Sequence, residues 1–131
     1  MRKGRLLPVG VGNEVKLEEC YLTLGGDLEE VLERLKKEER IRRLIKKIPE
    51  DATMQQLREA LEGKDYEEAF RYAHNLKGMC ANLGLVDLGR AAGVLTECLR
   101  GGVPRENPQP MMLEVERYYN VAVEAIKSLE P

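Results

Sequence analysis

In every stretch between Glu14 and Leu129, apolar residues recur three or four positions apart, and each stretch ends at a glycine, a proline or a short polar run. That spacing is the period of an α-helix, in which successive residues turn by about 100°, whereas a half-buried strand alternates in twos. The chain is therefore expected to be all-α. With no Trp and one Phe, its helices must pack through aliphatic stripes rather than large rings. A chain of 131 residues with 43% hydrophobic content can bury one core but not two.

Residues 1–12 carry Gly4, Pro8, Gly10 and Gly12 among basic residues without an apolar period. They read as a flexible leader, or as a partner-binding tail, ahead of one helical domain over residues 13–131. Val15, Leu17, Cys20, Tyr21 and Leu24 give a short amphipathic helix ended by Gly25 and Gly26. Asp27, with Glu30 three positions on, caps a helix that buries Leu28, Val31, Leu32 and Leu35. The run Lys36 to Arg40 then removes a turn of apolar residues before Ile41, Leu44, Ile45 and Ile48. Either a long helix crosses a solvated turn there, or the chain breaks near Lys37 and restarts; the break is the preferred reading. Pro49 ends the element.

Asp51 or Thr53 caps the next helix, with Met54, Leu57, Ala60 and Leu61 inward and Gly63 as its stop, and Asp65 caps the helix after it. From Val86 to Arg100 the buried set is Leu85, Leu88, Ala91 or Ala92, Leu95 and Leu99, with Gly101 and Gly102 ending the helix. Pro110 suits the start of a last helix striped by Met112, Val115, Tyr118 or Tyr119, Ala122, Ile126 and Leu129. Long helices joined by short loops predict an antiparallel up-and-down four-helix bundle with short additional N-terminal helices.

Composition excludes several functions. The 23 acidic and 21 basic residues are mixed along the chain and leave a net charge of −2, so no basic field is available for a nucleic-acid backbone. No apolar run is long enough for a membrane span or a signal peptide, which makes the cytoplasm the expected location. Cys20, Cys80 and Cys98 are odd in number and widely spaced, as suits reduced packing residues rather than disulfides or a metal site.

Between Tyr66 and Gly84 lies the single histidine. Tyr66, Ala69, Ala73, Leu76, Cys80 and Leu83 share one side of the helix, and His74 falls about 100° from its centre, so it should be exposed. Lys77 and Gly78 follow on the next turn. A glycine inside a helix costs about 1 kcal/mol relative to alanine, so something besides helix stability selects Gly78. A position without a side chain lets another backbone approach the ring. A lysine at the same distance offers a charge for phosphoryl oxygens, and a neutral imidazole is nucleophilic near pH 7. The combination describes a phosphorylatable histidine; the bland alternative is a solvated surface residue. Cys80 belongs to the core, and Asn75 and Asn82 read as surface or hydrogen-bonding residues.

The run AHNLKGMCANLGL, preceded by LREALEGKDYEEAFRY and followed by LTECLRGG, resembles histidine-containing phosphotransfer (HPt) domains. The resemblance covers roughly Leu24 to Arg100 and includes the Gly63-Lys64-Asp65 turn. It implies that His74 carries the phosphoryl group on Nε2, that Lys77 steadies its oxygens and that Gly78 gives clearance to a docking receiver domain. It also implies a response-regulator receiver and a sensor histidine kinase as partners. Mg²⁺ would sit on the receiver, and this chain would hold no cofactor. Arg71, Asn75, Ala81 and Asn82 would line the contact surface.

Gly89, Gly93, Thr96 and Arg100, at i, i+4, i+7 and i+11, form a strip read either as close helix packing or as more of that surface. The chain departs from the family pattern at Thr96, where several relatives carry a longer polar residue, and in the length of the run from Leu24 to Pro49. There is no room for the ATP-binding domain of a kinase. Arg71 stands where a di-iron Glu-x-x-His motif needs glutamate. The competing function is an HPt-like interaction module that binds receivers without relaying phosphate.

Overall fold

The computed structural model describes residues 15–129, and the leader expected at residues 1–12 lies outside them. Among the described residues the chain forms helices α1 (Leu17–Leu24), α2 (Leu28–Leu35), α3 (Glu38–Ile45), α4 (Thr53–Glu62), α5 (Tyr66–Leu83), α6 (Val86–Leu99) and α7 (Gln109–Lys127). A 3-10 turn, Ile48–Glu50, links α3 to α4.

The charged run after Leu35 does break the chain. Lys36 takes a positive φ of 73° at the centre of a tight turn in which the Lys37 amide donates to the Leu35 carbonyl at 2.9 Å, and Lys37 is extended at φ −125°. Helix α3 then restarts with Glu38 and Glu39 in its first turn, where acidic side chains suit the positive end of the helix dipole. Helix α4 stops at Gly63 and is capped by Asp51, as expected, and the structure adds the geometry of both ends. Gly63 stays right-handed at φ −81°, and Lys64 makes the turn instead at φ 58°. At the start of α4 the Thr53 amide donates to Asp51 Oδ1 at 2.8 Å, so Asp51 caps from just outside a helix whose N-cap position is Ala52.

Helix α5 packs between α4 and α6, α6 packs on α7, and α1 lies against α7. Arg58 forks onto Glu116 with two 2.8 Å bonds, tying α4 to α7. The core is aliphatic: Leu17, Ile41, Ile45, Leu57, Leu76, Leu95, Leu99 and Val115 are fully buried. Ala91 and Ala92 are both buried, and of the two tyrosines on α7 it is Tyr119 that faces inward. Helix α2 buries only Val31 completely, with Leu28, Leu32 and Leu35 half-buried.

The short N-terminal helices are bolted to the α5–α6 corner through the backbone. Gly84 ends α5 at φ 67°. Its carbonyl accepts the Asp27 amide at 2.9 Å, and the Gly25 carbonyl accepts that of Asp87 at 3.0 Å. A side chain at Gly84 would also lie 2.8 Å from the Asp27 carbonyl oxygen, so the close approach and the positive φ both require glycine.

The cysteines are free and buried. Burial pushes the Cys80 thiol up from 9.0 to about 12. Cys20 is likewise pushed up to about 11 by burial, against a smaller opposing effect of Arg42. A raised value in the folded state means stability that is complete below pH 9 and is lost as pH climbs toward 11 and 12. The urea midpoint should therefore hold from pH 7 to about 9 and fall above it. A Cys20→Ala, Cys80→Ala double variant should decline less steeply over that interval; an identical decline would show that the thiols play no part.

Candidate functional site

Helix α5 is fixed at both ends, and this is what makes its middle a platform. At the N-terminus the Asp65 carboxylate accepts the Glu68 amide at 3.3 Å, with Glu67 and Glu68 in the first turn. At the C-terminus the last carbonyls, which have no partner inside the helix, are taken up by side chains of α1 and α2. The Tyr21 hydroxyl donates to the Leu83 carbonyl at 2.7 Å. Arg34 Nη2 donates to the carbonyls of Ala81 at 3.1 Å and Asn82 at 2.7 Å, and Nη1 to Asn82 Oδ1 at 3.3 Å. A cation there also complements the negative end of the helix dipole. Glu30 holds Arg34 through a two-point ion pair.

Ala69, Ala73, Leu76, Cys80 and Leu83 are buried along α5, with Tyr66 half-buried at its start. His74, Lys77 and Gly78 are exposed, as are Arg71, Asn75, Ala81 and Asn82. Steps of three and four residues from Arg71 through His74 and Asn75 to Gly78, Ala81 and Asn82 keep these positions on one outward face. A Cβ added at Gly78 would meet nothing within 4 Å. Packing inside this protein therefore does not explain that glycine. Arg71 pairs with Glu68 one turn back and lies 6.0 Å from the Tyr72 ring centroid.

Helix α6 supplies the wall beside this face. A Cβ at Gly93 would lie 3.6 Å from Lys77 Cε, so the lysine stem runs over a glycine bed on the neighbouring helix. Gly89 answers to close packing, since a Cβ there would approach Cys80 Cβ to 3.1 Å. A depression of about 250 Å³ brings Lys77, Ala81 and Gly89 together, with Glu30 and Val86 on its rim.

Thr96 does not belong to the expected strip. It is fully buried, and its hydroxyl donates to the Ala92 carbonyl at 2.7 Å, so it cannot touch a partner. The exposed residue at that level is Glu97, whose carboxylate is held below its usual range by hydrogen bonds from Arg100, with smaller effects of Lys77 and Arg105. Arg100 in turn places its guanidinium 5.2 Å from the centroid of Phe70. The Phe70 ring stacks on His74 with centroids 5.9 Å apart and planes at 16°. Sequence reasoning missed Phe70 and Glu97. The available signals were the position of Phe70 one turn before His74 and of Glu97 one turn after Gly93.

Among the described residues no group of three His, Cys, Asp or Glu side chains could hold a metal ion, and no helix is long and apolar enough to cross a membrane. An exposed imidazole with an ammonium and an empty glycine position one turn away can act as a nucleophile toward a group delivered by another molecule. No curated protein and no solved structure matched the chain. The family model described as the Hpt domain matches residues 27–128. That match spans well over half of the sequence and contains His74, Lys77 and Gly78, so the chain belongs to the Hpt domain family.

Proposed function

We propose that this chain is a phosphoryl carrier of a two-component phosphorelay, accepting the group on His74 from an aspartate of a receiver domain or returning it. Hpt domains in general serve histidine phosphotransfer in phosphorelays and are carriers rather than kinases. The observation that carries the reading here is the open space over Gly78 beside an exposed His74 and Lys77. In the transfer, the lone pair of His74 Nε2 forms a bond to phosphorus as the acyl P–O bond of the aspartyl phosphate breaks. The bonding electron pair leaves on the aspartate carboxylate, and the proton on Nδ1 stays with the ring. Catalysis is mainly alignment and charge neutralisation. Lys77 faces the phosphoryl oxygens, and Mg²⁺ is supplied by the receiver.

In this reading a receiver docks over Arg71, Asn75, Ala81, Asn82, Gly89, Gly93 and Arg100, and a sensor histidine kinase feeds the relay in the cytoplasm. Residues 13–131 act as one domain, and α4 to α7 run as an antiparallel up-and-down bundle. The two-residue link Gly84–Leu85 between packed helices α5 and α6 and the Arg58–Glu116 tie from α4 to α7 support that arrangement.

The test is incubation of the protein with a phosphorylated receiver. Label that moves to this chain and is lost in acid supports the carrier reading. Stable binding of receivers with no transfer from any of them would replace it with an interaction module.

A further inference from the structure

We infer that Phe70 is a positioning residue for phosphoryl transfer at His74, holding the imidazole in its reactive orientation, and that Arg100 and Glu97 hold Phe70 in place. The inference rests on the carrier reading and adds residues to it. Side chains on a helix lean toward its N-terminus, so the ring of His74 is directed back onto the residue one turn earlier. That residue is the single phenylalanine of the chain. Its ring is half-buried and packed against the core, whereas His74 is exposed and has no burial of its own to fix χ1 and χ2. The 5.9 Å separation and 16° interplanar angle lie within the range of attractive offset stacking. A fixed ring thus immobilises a free one.

The stack is braced from the neighbouring helix. The Arg100 guanidinium lies 5.2 Å from the Phe70 centroid, within reach of a cation–π attraction. Its fork is set by Glu97, with Nε to Oε1 at 3.1 Å and Nη2 to Oε2 at 2.7 Å. Glu97 also feels the charge of Lys77. The arrangement therefore starts at the proposed nucleophile, crosses to α6 through Phe70 and Arg100, and returns toward the proposed phosphoryl anchor through Glu97.

The expected consequence lies in orientation. Without the ring, the imidazole spends less time with Nε2 in line with the incoming phosphorus, and small misplacements of reacting groups slow transfer by one to two orders of magnitude. Phe70→Leu should lower the transfer rate constant from a phosphorylated receiver by about tenfold with KM little changed. Phe70→Tyr keeps the ring and should transfer at nearly the original rate. Because His74 is the single histidine, its ring-proton NMR signals are unambiguous. They should carry a ring-current displacement in the original protein and in Phe70→Tyr, and lose it in Phe70→Leu. A role confined to filling the core would not couple that displacement to transfer.

If Phe70→Leu does not fold, Phe70→Met, which fills similar space without a ring, takes its place. A ringless variant that transfers at the original rate overturns the inference and leaves the carrier reading standing. Absence of label on the original protein, from any receiver or from the small donor phosphoramidate, overturns the carrier reading and the inference with it.

Discussion

A His74→Gln protein should take up no acid-labile phosphate from a phosphorylated receiver and should keep its fold. Glutamine approximates the reach and polarity of histidine but offers an amide nitrogen whose lone pair is delocalised, so the N–P bond cannot form. His74 is exposed on the outward face of α5, so its replacement creates no cavity and leaves no buried polar group alone. A surface substitution of this kind stays within about 0.5 kcal/mol in stability. The chain has one histidine, so loss of the label cannot be masked by a second acceptor of the same type. The measurement is a labelling time course on both proteins alongside urea unfolding. Label persisting in the variant would move the acceptor away from His74, and a large loss of stability would show that the residue is structural.

How far the sequence could be read depended on whether a feature was local. The break at Lys36 and Lys37, the Asp27 and Asp65 caps and the glycine stop at Gly25 are each decided by residues within one turn, and each is legible in the sequence. The outward placement of His74, Lys77 and Gly78 follows from one helix and its own apolar stripe. Thr96 was misplaced because its position depends on a second helix. From Gly93, a step of three residues turns about 60° one way and a step of four about 40° the other. Only the packing of α6 on α5 decides which of Thr96 and Glu97 faces out. The Phe70–Arg100 contact and the capping of α5 by Arg34 join residues distant in sequence, and no periodicity records them.

The N-terminal helices show how such remote contacts bear on the site. Arg34 and Tyr21 satisfy the carbonyls at the end of α5, and the backbone bonds at Gly25 and Gly84 fix the corner where α5 turns into α6. Lys77 is on the first of those helices and its Gly93 bed on the second. The angle between them therefore sets how the lysine stem lies beside His74. Helices α1 and α2 thus brace the corner where α5 turns into α6.

Substitutions at Gly78 should separate stability from transfer more sharply than any other position. Nothing lies within 4 Å of a Cβ built there, and the residue is inside α5, so Gly78→Ala removes the conformational cost of glycine without a clash. Stability should rise by about 1 kcal/mol, which is about 4 °C in the unfolding midpoint for a domain of this size. Gly78→Tyr should be no less stable than the original, because tyrosine is also a better helix former than glycine. Its ring, however, would stand one turn from His74 on the face proposed for receiver docking. Transfer from a phosphorylated receiver should then fall on the order of 100-fold, while labelling by phosphoramidate, which needs no docking surface, stays near the original rate. Equal losses with both donors would mean that tyrosine disturbs His74 itself. Undiminished transfer from the receiver would show that the glycine does not serve clearance, and a drop in stability for Gly78→Ala would show that the helix needs glycine there for reasons of its own.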